Sequence, residues 1–105
     1  EHAADFGFIL RYPEDKVDVT GINYEPWHFR YVGLPHSLIM KKQNFVLEEY
    51  ITFLKKEQFF TTEVNDTTYF IQYTDNETTV NIPDTANYSV SGDNESGFII
   101  TSIIE

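Results

Sequence analysis

A chain of 105 residues that is 41% apolar and 16% aromatic has the material for one compact domain with a modest core, which excludes intrinsic disorder. Having no Cys, it excludes a disulfide framework, a thiolate nucleophile and a thiolate zinc site. Residues 57–105 carry nine acids and no base, against seven bases and eight acids in residues 1–56; the net charge of −10 therefore sits in the second half and disfavours nucleic acid, anionic lipid and anionic wall polymers as partners.

That shift in composition predicts two parts, residues 1–56 and an acidic, β-rich subdomain over residues 57–105. No apolar run approaches the ~20 residues of a membrane span. The chain opens on Glu1-His2-Ala3-Ala4-Asp5, with neither Met nor a basic-then-apolar leader, and reads as a fragment, a processed product or one piece of a longer protein.

Taken in order, Glu1 to Phe6 reads as the end of a helix, with Gly7 free to take the left-handed position after it. Phe8 to Tyr12 is bulky and apolar and predicts a strand. Pro13-Glu14-Asp15-Lys16 predicts a turn, and Val17 to Tyr24 an extended segment with a bend at Gly21, the two segments forming a hairpin.

The hairpin leads into Tyr24-Glu25-Pro26-Trp27-His28-Phe29-Arg30-Tyr31-Val32-Gly33, the stretch richest in chemistry. Glu25 can move a proton; His28 can hold a metal, move a proton or serve as a hydrogen-bonded strand histidine. In a flat strand, residues three apart point to opposite faces, which would separate Glu25 from His28. Pro26 cannot donate to a ladder and favours a bulge or turn, and such a break lets both side chains reach one side. Trp27 and Phe29 are expected in the core, and Arg30 to pair with an acid that fixes the strand.

Leu34-Pro35-His36-Ser37 predicts a loop into a short helix of about Ser37 to Gln43, started by Ser37 or His36, with Lys41 and Lys42 at its C-terminal end and Asn44 as its left-handed cap. A second helix is predicted from about Val46 to Lys56. Leu47, Tyr50, Ile51 and Leu54 fall on one face, and Glu48, Glu49 and Lys55, Lys56 match the helix dipole at its two ends. This helix reads as packing rather than chemistry.

Beyond Phe59-Phe60 the sequence alternates. Thr67 to Thr74 and Glu77 to Ile82 predict strands around a turn at Asp75-Asn76, Pro83-Asp84 breaks the second, and Tyr88 to Ser91 can pair with Phe98 to Ile104 around Gly92–Gly97. The Asn-x-Thr/Ser patterns at Asn65, Asn76, Asn87 and Asn94 are what an Asn- and Thr-rich segment produces by composition. The acidic turn Asp93-Asn94-Glu95 lacks the ligand ladder of an EF-hand and reads as solvated.

Gly7-Phe8-Ile9-Leu10-Arg11-Tyr12-Pro13, Lys16, Thr20-Gly21-Ile22, Glu25-Pro26-Trp27-His28-Phe29-Arg30-Tyr31-Val32-Gly33 and Leu47-Glu48-Glu49-Tyr50 follow one another closely. In that order and spacing they resemble the C-terminal half of the catalytic domain of the VanY-type zinc D-alanyl-D-alanine carboxypeptidases, a family that also includes L,D-carboxypeptidases. The resemblance covers residues ~1–56 (the block ending in Val32-Gly33 is its most specific part), and the second half matches no family.

The resemblance implies an α+β fold, the C-terminal half of a hedgehog/D,D-peptidase-like antiparallel sheet with packed helices. It implies one zinc, with His28 as a metal ligand and Glu25 as the catalytic general base, and a peptidoglycan stem peptide ending in D-Ala as substrate. It also implies work outside the cytoplasmic membrane, in the cell envelope or as a secreted protein. The family's other two ligands lie in an upstream Ser-x-His-x-x-Gly-x-Ala-x-Asp pattern that has no counterpart here; His2 and His36 do not fit it. The expected partner is therefore the missing N-terminal half of the catalytic domain, and the chain alone is expected to be inactive. A non-catalytic wall-peptide binding module using Trp27 and Tyr31, and a structural domain in which Glu25 and His28 satisfy one another, are the competing readings.

Overall fold

The structure is a computed structural model and describes residues 2–75, 87–92 and 97–104. It is α+β, and it forms two compact units, Glu1–Thr52 and Phe53–Glu105.

The first unit opens on a 3₁₀ turn, Ala3–Phe6, ended by Gly7 at φ 90°, as the sequence suggested. Strand β1 (Phe8–Leu10) follows and pairs antiparallel with β2 (Phe29–Tyr31), Leu10 facing Phe29 and Phe8 facing Tyr31. The Gly7 carbonyl accepts from the N–H groups of both Val32 and Gly33, at 2.8 and 3.0 Å. Glycine is favoured there because φ is 90°, and a Cβ would in addition lie 2.6 Å from Tyr31 Cε1 and 3.2 Å from Gly33 Cα.

The predicted extended segment over Val17 to Tyr24 is not extended. A 3₁₀ turn at Glu14–Lys16 runs into a single helical turn, α1 (Val17–Thr20), which Gly21 closes at φ 74° with its N–H on the Val17 carbonyl. Gly21 is thus a helix cap and not a strand bend. The acids Glu14, Asp15 and Asp18 near the N-terminal ends and the glycine past the C-terminal end outweigh the β preference of two Val and one Thr. The partner of β1 is therefore β2, and the intervening chain is the connection.

Helix α2 (His36–Gln43) ends at Asn44 in the left-handed conformation, φ 58°, matching its predicted cap. Helix α3 (Leu47–Glu57) begins where the Glu49 carboxylate reaches back to the Val46 N–H at 3.0 Å, half of a capping box. Leu47, Tyr50, Ile51 and Leu54 are all buried, as the stripe required. Leu54 belongs to the second unit; in the first, Ala4, Ile9, Met40 and Val46 are buried too, and Ser37 Oγ donates to the Ala4 carbonyl at 2.7 Å.

The second unit contains a four-stranded antiparallel sheet in the order β3-β4-β6-β5: β3 (Phe59–Val64), β4 (Thr67–Asp75), β5 (Asn87–Gly92) and β6 (Gly97–Ile104). Ile71, Tyr73, Ile99 and Ile100 are buried in it. The expected pairing of Tyr88–Ser91 with Phe98–Ile104 is present, with Val90 opposite Ile100. Strand β3 went unread in the sequence; its hairpin with β4 turns on Asn65 and Asp66, both at positive φ, the residue types a two-residue hairpin loop uses. Of the predicted turn at Asp75-Asn76, Asp75 is the last residue of β4; Asn76, the strand Glu77 to Ile82, the break at Pro83-Asp84 and the acidic turn at Asp93-Asn94-Glu95 lie outside the described residues.

Candidate active site

The β1–β2 ladder ends at the Leu10–Phe29 pair, but contact between the two segments does not. The Arg11 N–H still donates to the His28 carbonyl at 2.8 Å, and the Glu25 N–H donates to the Tyr12 carbonyl at 3.0 Å. Between these two bonds Pro26 and Trp27 are extruded as a turn, closed by the His28 N–H on the Glu25 carbonyl at 3.2 Å. Proline suits this place because its missing N–H forfeits no rung.

The extrusion brings the two candidate side chains together. Glu25 Oε1 lies 3.1 Å from His28 Nδ1, with the side chains 28% and 45% exposed. In a flat strand they would point apart; the turn at Pro26 is what makes one shared site possible. The pair is open to solvent on one side, so a small ligand can reach it.

Trp27 and Phe29 are not core residues. Trp27 is 72% exposed because it occupies the turn rather than a strand face, and Phe29 is 46% exposed. Tyr24 and Tyr31 are exposed as well; Tyr31 packs edge-on against Phe8, with ring centroids 5.2 Å apart, at the far end of the β1–β2 ladder. An apolar groove of about 510 Å³ is lined by Leu10, Tyr24, Pro26, Phe29, Met40 and Phe45, among others; neither Glu25 nor His28 lines it.

The residues that fix the turn were missed by sequence reasoning. Arg11 makes a bidentate pair with Glu48 on α3, at 3.0 and 2.9 Å, and its guanidinium lies 4.6 Å from the Tyr12 ring centroid. The Tyr12 ring meets the His28 imidazole in a T-shaped contact, centroids 5.1 Å apart at 81°. Lys16 pairs with Glu49 at 3.0 Å. Glu48 and Glu49 lie in the first turn of α3, as their match to the helix dipole required, and also anchor two bases 37 and 33 residues upstream. A basic residue in each of the first two matched blocks, with two acids opening the last, was the available signal.

His36 is a core residue. It is buried, its Nδ1 hydrogen-bonds the Tyr50 hydroxyl, and burial pushes its pKa down to about 4. Tyr50, equally buried, is raised above the ordinary phenol range by desolvation.

Among the described residues no three of His, Cys, Asp and Glu converge to hold a metal. Catalytic zinc takes three protein ligands and keeps one open position. Glu25 and His28 fit part of such a set, an accessible imidazole with a carboxylate in reach, and do not make a whole one.

Comparison with known proteins shows what the chain is similar to. The family model described as D-alanyl-D-alanine carboxypeptidase, VanY, matches residues 1–34, which contain the Glu25–His28 turn. A D-alanyl-D-alanine carboxypeptidase of Enterococcus faecium is 54% identical over 103 residues, 96% of this chain and 34% of that protein. The chain is similar to the VanY-type D-alanyl-D-alanine carboxypeptidases over these stretches. A bifunctional D-Ala-D-Ala dipeptidase and D-Ala-D-Ala carboxypeptidase, VanXYC, of Enterococcus gallinarum is 66% identical over 50 residues, 48% of this chain and 26% of that protein. The crystal structure of the vancomycin resistance D,D-dipeptidase VanXYg, solved with a D-Ala-D-Ala phosphinate analog, superposes with a TM-score of 0.88 at 41% identity, over 98% of this chain and 44% of that one. The chain thus spans about a third of the E. faecium relative's length. Similarity to that relative also runs through residues 57–105, the half for which the sequence suggested no family.

Proposed function

We propose that this chain is part of a zinc-dependent carboxypeptidase that removes C-terminal D-Ala from peptidoglycan stem peptides outside the cytoplasmic membrane. The observation that carries the reading is the Pro26-Trp27 turn, which brings Glu25 and His28 to 3.1 Å at an accessible surface. In this reading His28 is a zinc ligand, and the other protein ligands, a His and an Asp, come from sequence outside these 105 residues. Residues 1–56 are the C-terminal half of the catalytic domain and residues 57–105 an acidic β-rich subdomain.

Zinc at this position supplies Lewis-acid polarisation of the scissile carbonyl. Glu25 takes a proton from the attacking water as its oxygen bonds to the carbonyl carbon, and returns that proton to the D-Ala nitrogen as the C–N bond breaks. The part-exposed carboxylate suits both transfers, since it needs access to water in the first and to the leaving amine in the second. Trp27, exposed on the same turn as Glu25 and His28, offers apolar surface to the peptide.

The test uses the intact protein carrying this segment. Glu25→Gln is expected to keep zinc and lose turnover on a D-Ala-terminated peptide by roughly 10²- to 10⁴-fold. Unchanged turnover would remove Glu25 from the reaction. His28→Ala is expected to lower zinc content by elemental analysis, and full zinc content would remove His28 from the ligand set. The exposure of Trp27 and Tyr31 supports a second reading, a wall-peptide binding module without catalysis; muropeptide binding that is indifferent to zinc, with no turnover, would select it.

A further inference from the structure

We infer that Tyr12 is a positioning residue for His28, held in place in turn by the Arg11–Glu48 ion pair. The inference rests on the reading of His28 as a ligand. An imidazole on an exposed turn has two free side-chain torsions, and a metal ligand must be held to a narrow range of both. Glu25 restrains His28 at Nδ1 only. Among the described residues, a further restraint on its ring is the edge contact with Tyr12, 5.1 Å between centroids at 81°.

Tyr12 can serve as a fixed wall because it is itself fixed on three sides. Its carbonyl accepts the Glu25 N–H at 3.0 Å, its neighbour Arg11 donates to the His28 carbonyl at 2.8 Å, and the Arg11 guanidinium lies over its ring. That guanidinium is in turn locked by two hydrogen bonds to the Glu48 carboxylate. A planar, bidentate pair defines orientation as well as distance, and Lys could not reproduce it. The Arg11-Tyr12 dipeptide therefore holds both ends of the turn by backbone and the ligand ring by side chain, and α3 holds the dipeptide.

The experiment compares Tyr12→Leu and Tyr12→Phe in the intact protein by two readouts. One is zinc affinity by competition with a chromogenic chelator. The other is the set of His28 imidazole ¹⁵N and ring-proton signals in the zinc-free protein, with circular dichroism confirming the fold. Tyr12→Leu is expected to weaken zinc binding by about 2- to 10-fold, the scale of an edge-to-face aromatic contact, and to shift the His28 ring signals. Tyr12→Phe keeps the ring edge and is expected to restore both to wild type. A folded Tyr12→Leu protein with wild-type zinc affinity and unmoved His28 signals overturns the proposal.

Should Tyr12→Leu fail to fold, Glu48→Gln decides the matter. It loosens Arg11 without touching the ring, and should shift the His28 signals and weaken zinc by about threefold, the scale of a part-exposed ion pair; no change in either overturns the proposal. If instead His28→Ala leaves zinc affinity intact, the ligand reading fails, while the zinc-free ring signals still decide what Tyr12 does.

Discussion

His36 makes the fold acid-sensitive, and the size of the effect can be worked out from its surroundings. The imidazole is buried at the start of α2 against the Tyr50 hydroxyl, and burial alone lowers its pKa from 6.5 to about 4. In the unfolded chain it titrates near 6.5. Above that value both states hold it neutral and it adds no pH dependence. Between 6.5 and about 4 the unfolded state binds the proton first, so stability falls as pH falls. Below the folded value both states are protonated and the loss levels off. At about 1.36 kcal/mol per pH unit, the full loss is roughly 3 kcal/mol. Neutral Tyr50, its pKa raised, offers no charge to compensate. The perturbation is His36→Gln, which keeps a polar group beside Tyr50 and cannot titrate. The assay is urea denaturation followed by circular dichroism from about pH 7 to about pH 4. Other groups of the chain also change charge in acid, so the quantity to read is wild type minus variant at each pH. That difference should shrink by about 3 kcal/mol across the window, whatever the variant costs at neutral pH. A flat difference would refute burial of a neutral imidazole as the source.

Three other substitutions test the frame around the site. Gly7→Ala places a methyl 2.6 Å from Tyr31 Cε1 at φ 90° and should cost about 1–3 kcal/mol by thermal melt; a wild-type melting temperature would show that the β1 entry is not held as described. Ile71→Ala empties a fully buried position on β4 and should cost about 2–5 kcal/mol, and a loss below that range would mean the sheet repacks. Asn44→Gly, at φ 58°, should be neutral or slightly stabilising, whereas Asn44→Ala should cost about 1 kcal/mol; equal melts for the two would argue against a left-handed cap there.

Much of the fold was legible because local signals and tertiary structure agree. The apolar stripe of α3, the left-handed residues at Gly7 and Asn44 and the pairing of β5 with β6 each follow from periodicity or from a residue that tolerates positive φ. Local signals misled where they conflicted. Val17, Val19 and Thr20 favour strand, yet acids before them and Gly21 after them make one helical turn, and a β-branched residue loses little when only one turn is made. Strand β3 escaped notice because its six residues alternate between exposed and half-buried and bury none fully. Trp27 shows the other limit: hydrophobicity predicts burial on average, but a residue extruded into a turn takes the exposure of the turn.

The site divides along the same line. Glu25 and His28 are three residues apart, and Pro26 between them announces the break that lets them meet, so their juxtaposition could be read from a ten-residue window. What holds the turn could not, because Arg11 finds Glu48 across 37 residues and no pattern of period two or 3.6 links them. Charge complementarity between blocks is a weak signal in a chain with 17 acids, where every base has several partners to choose from. The long-range ion pair is also what gives the local motif a fixed geometry. A Glu-Pro-Trp-His tetrapeptide alone samples many rotamers, and ordering them costs conformational entropy at the moment a ligand binds. Anchoring Arg11-Tyr12 to α3 moves that cost to folding, where the buried stripe of Leu47, Tyr50, Ile51 and Leu54 supplies the free energy that offsets it.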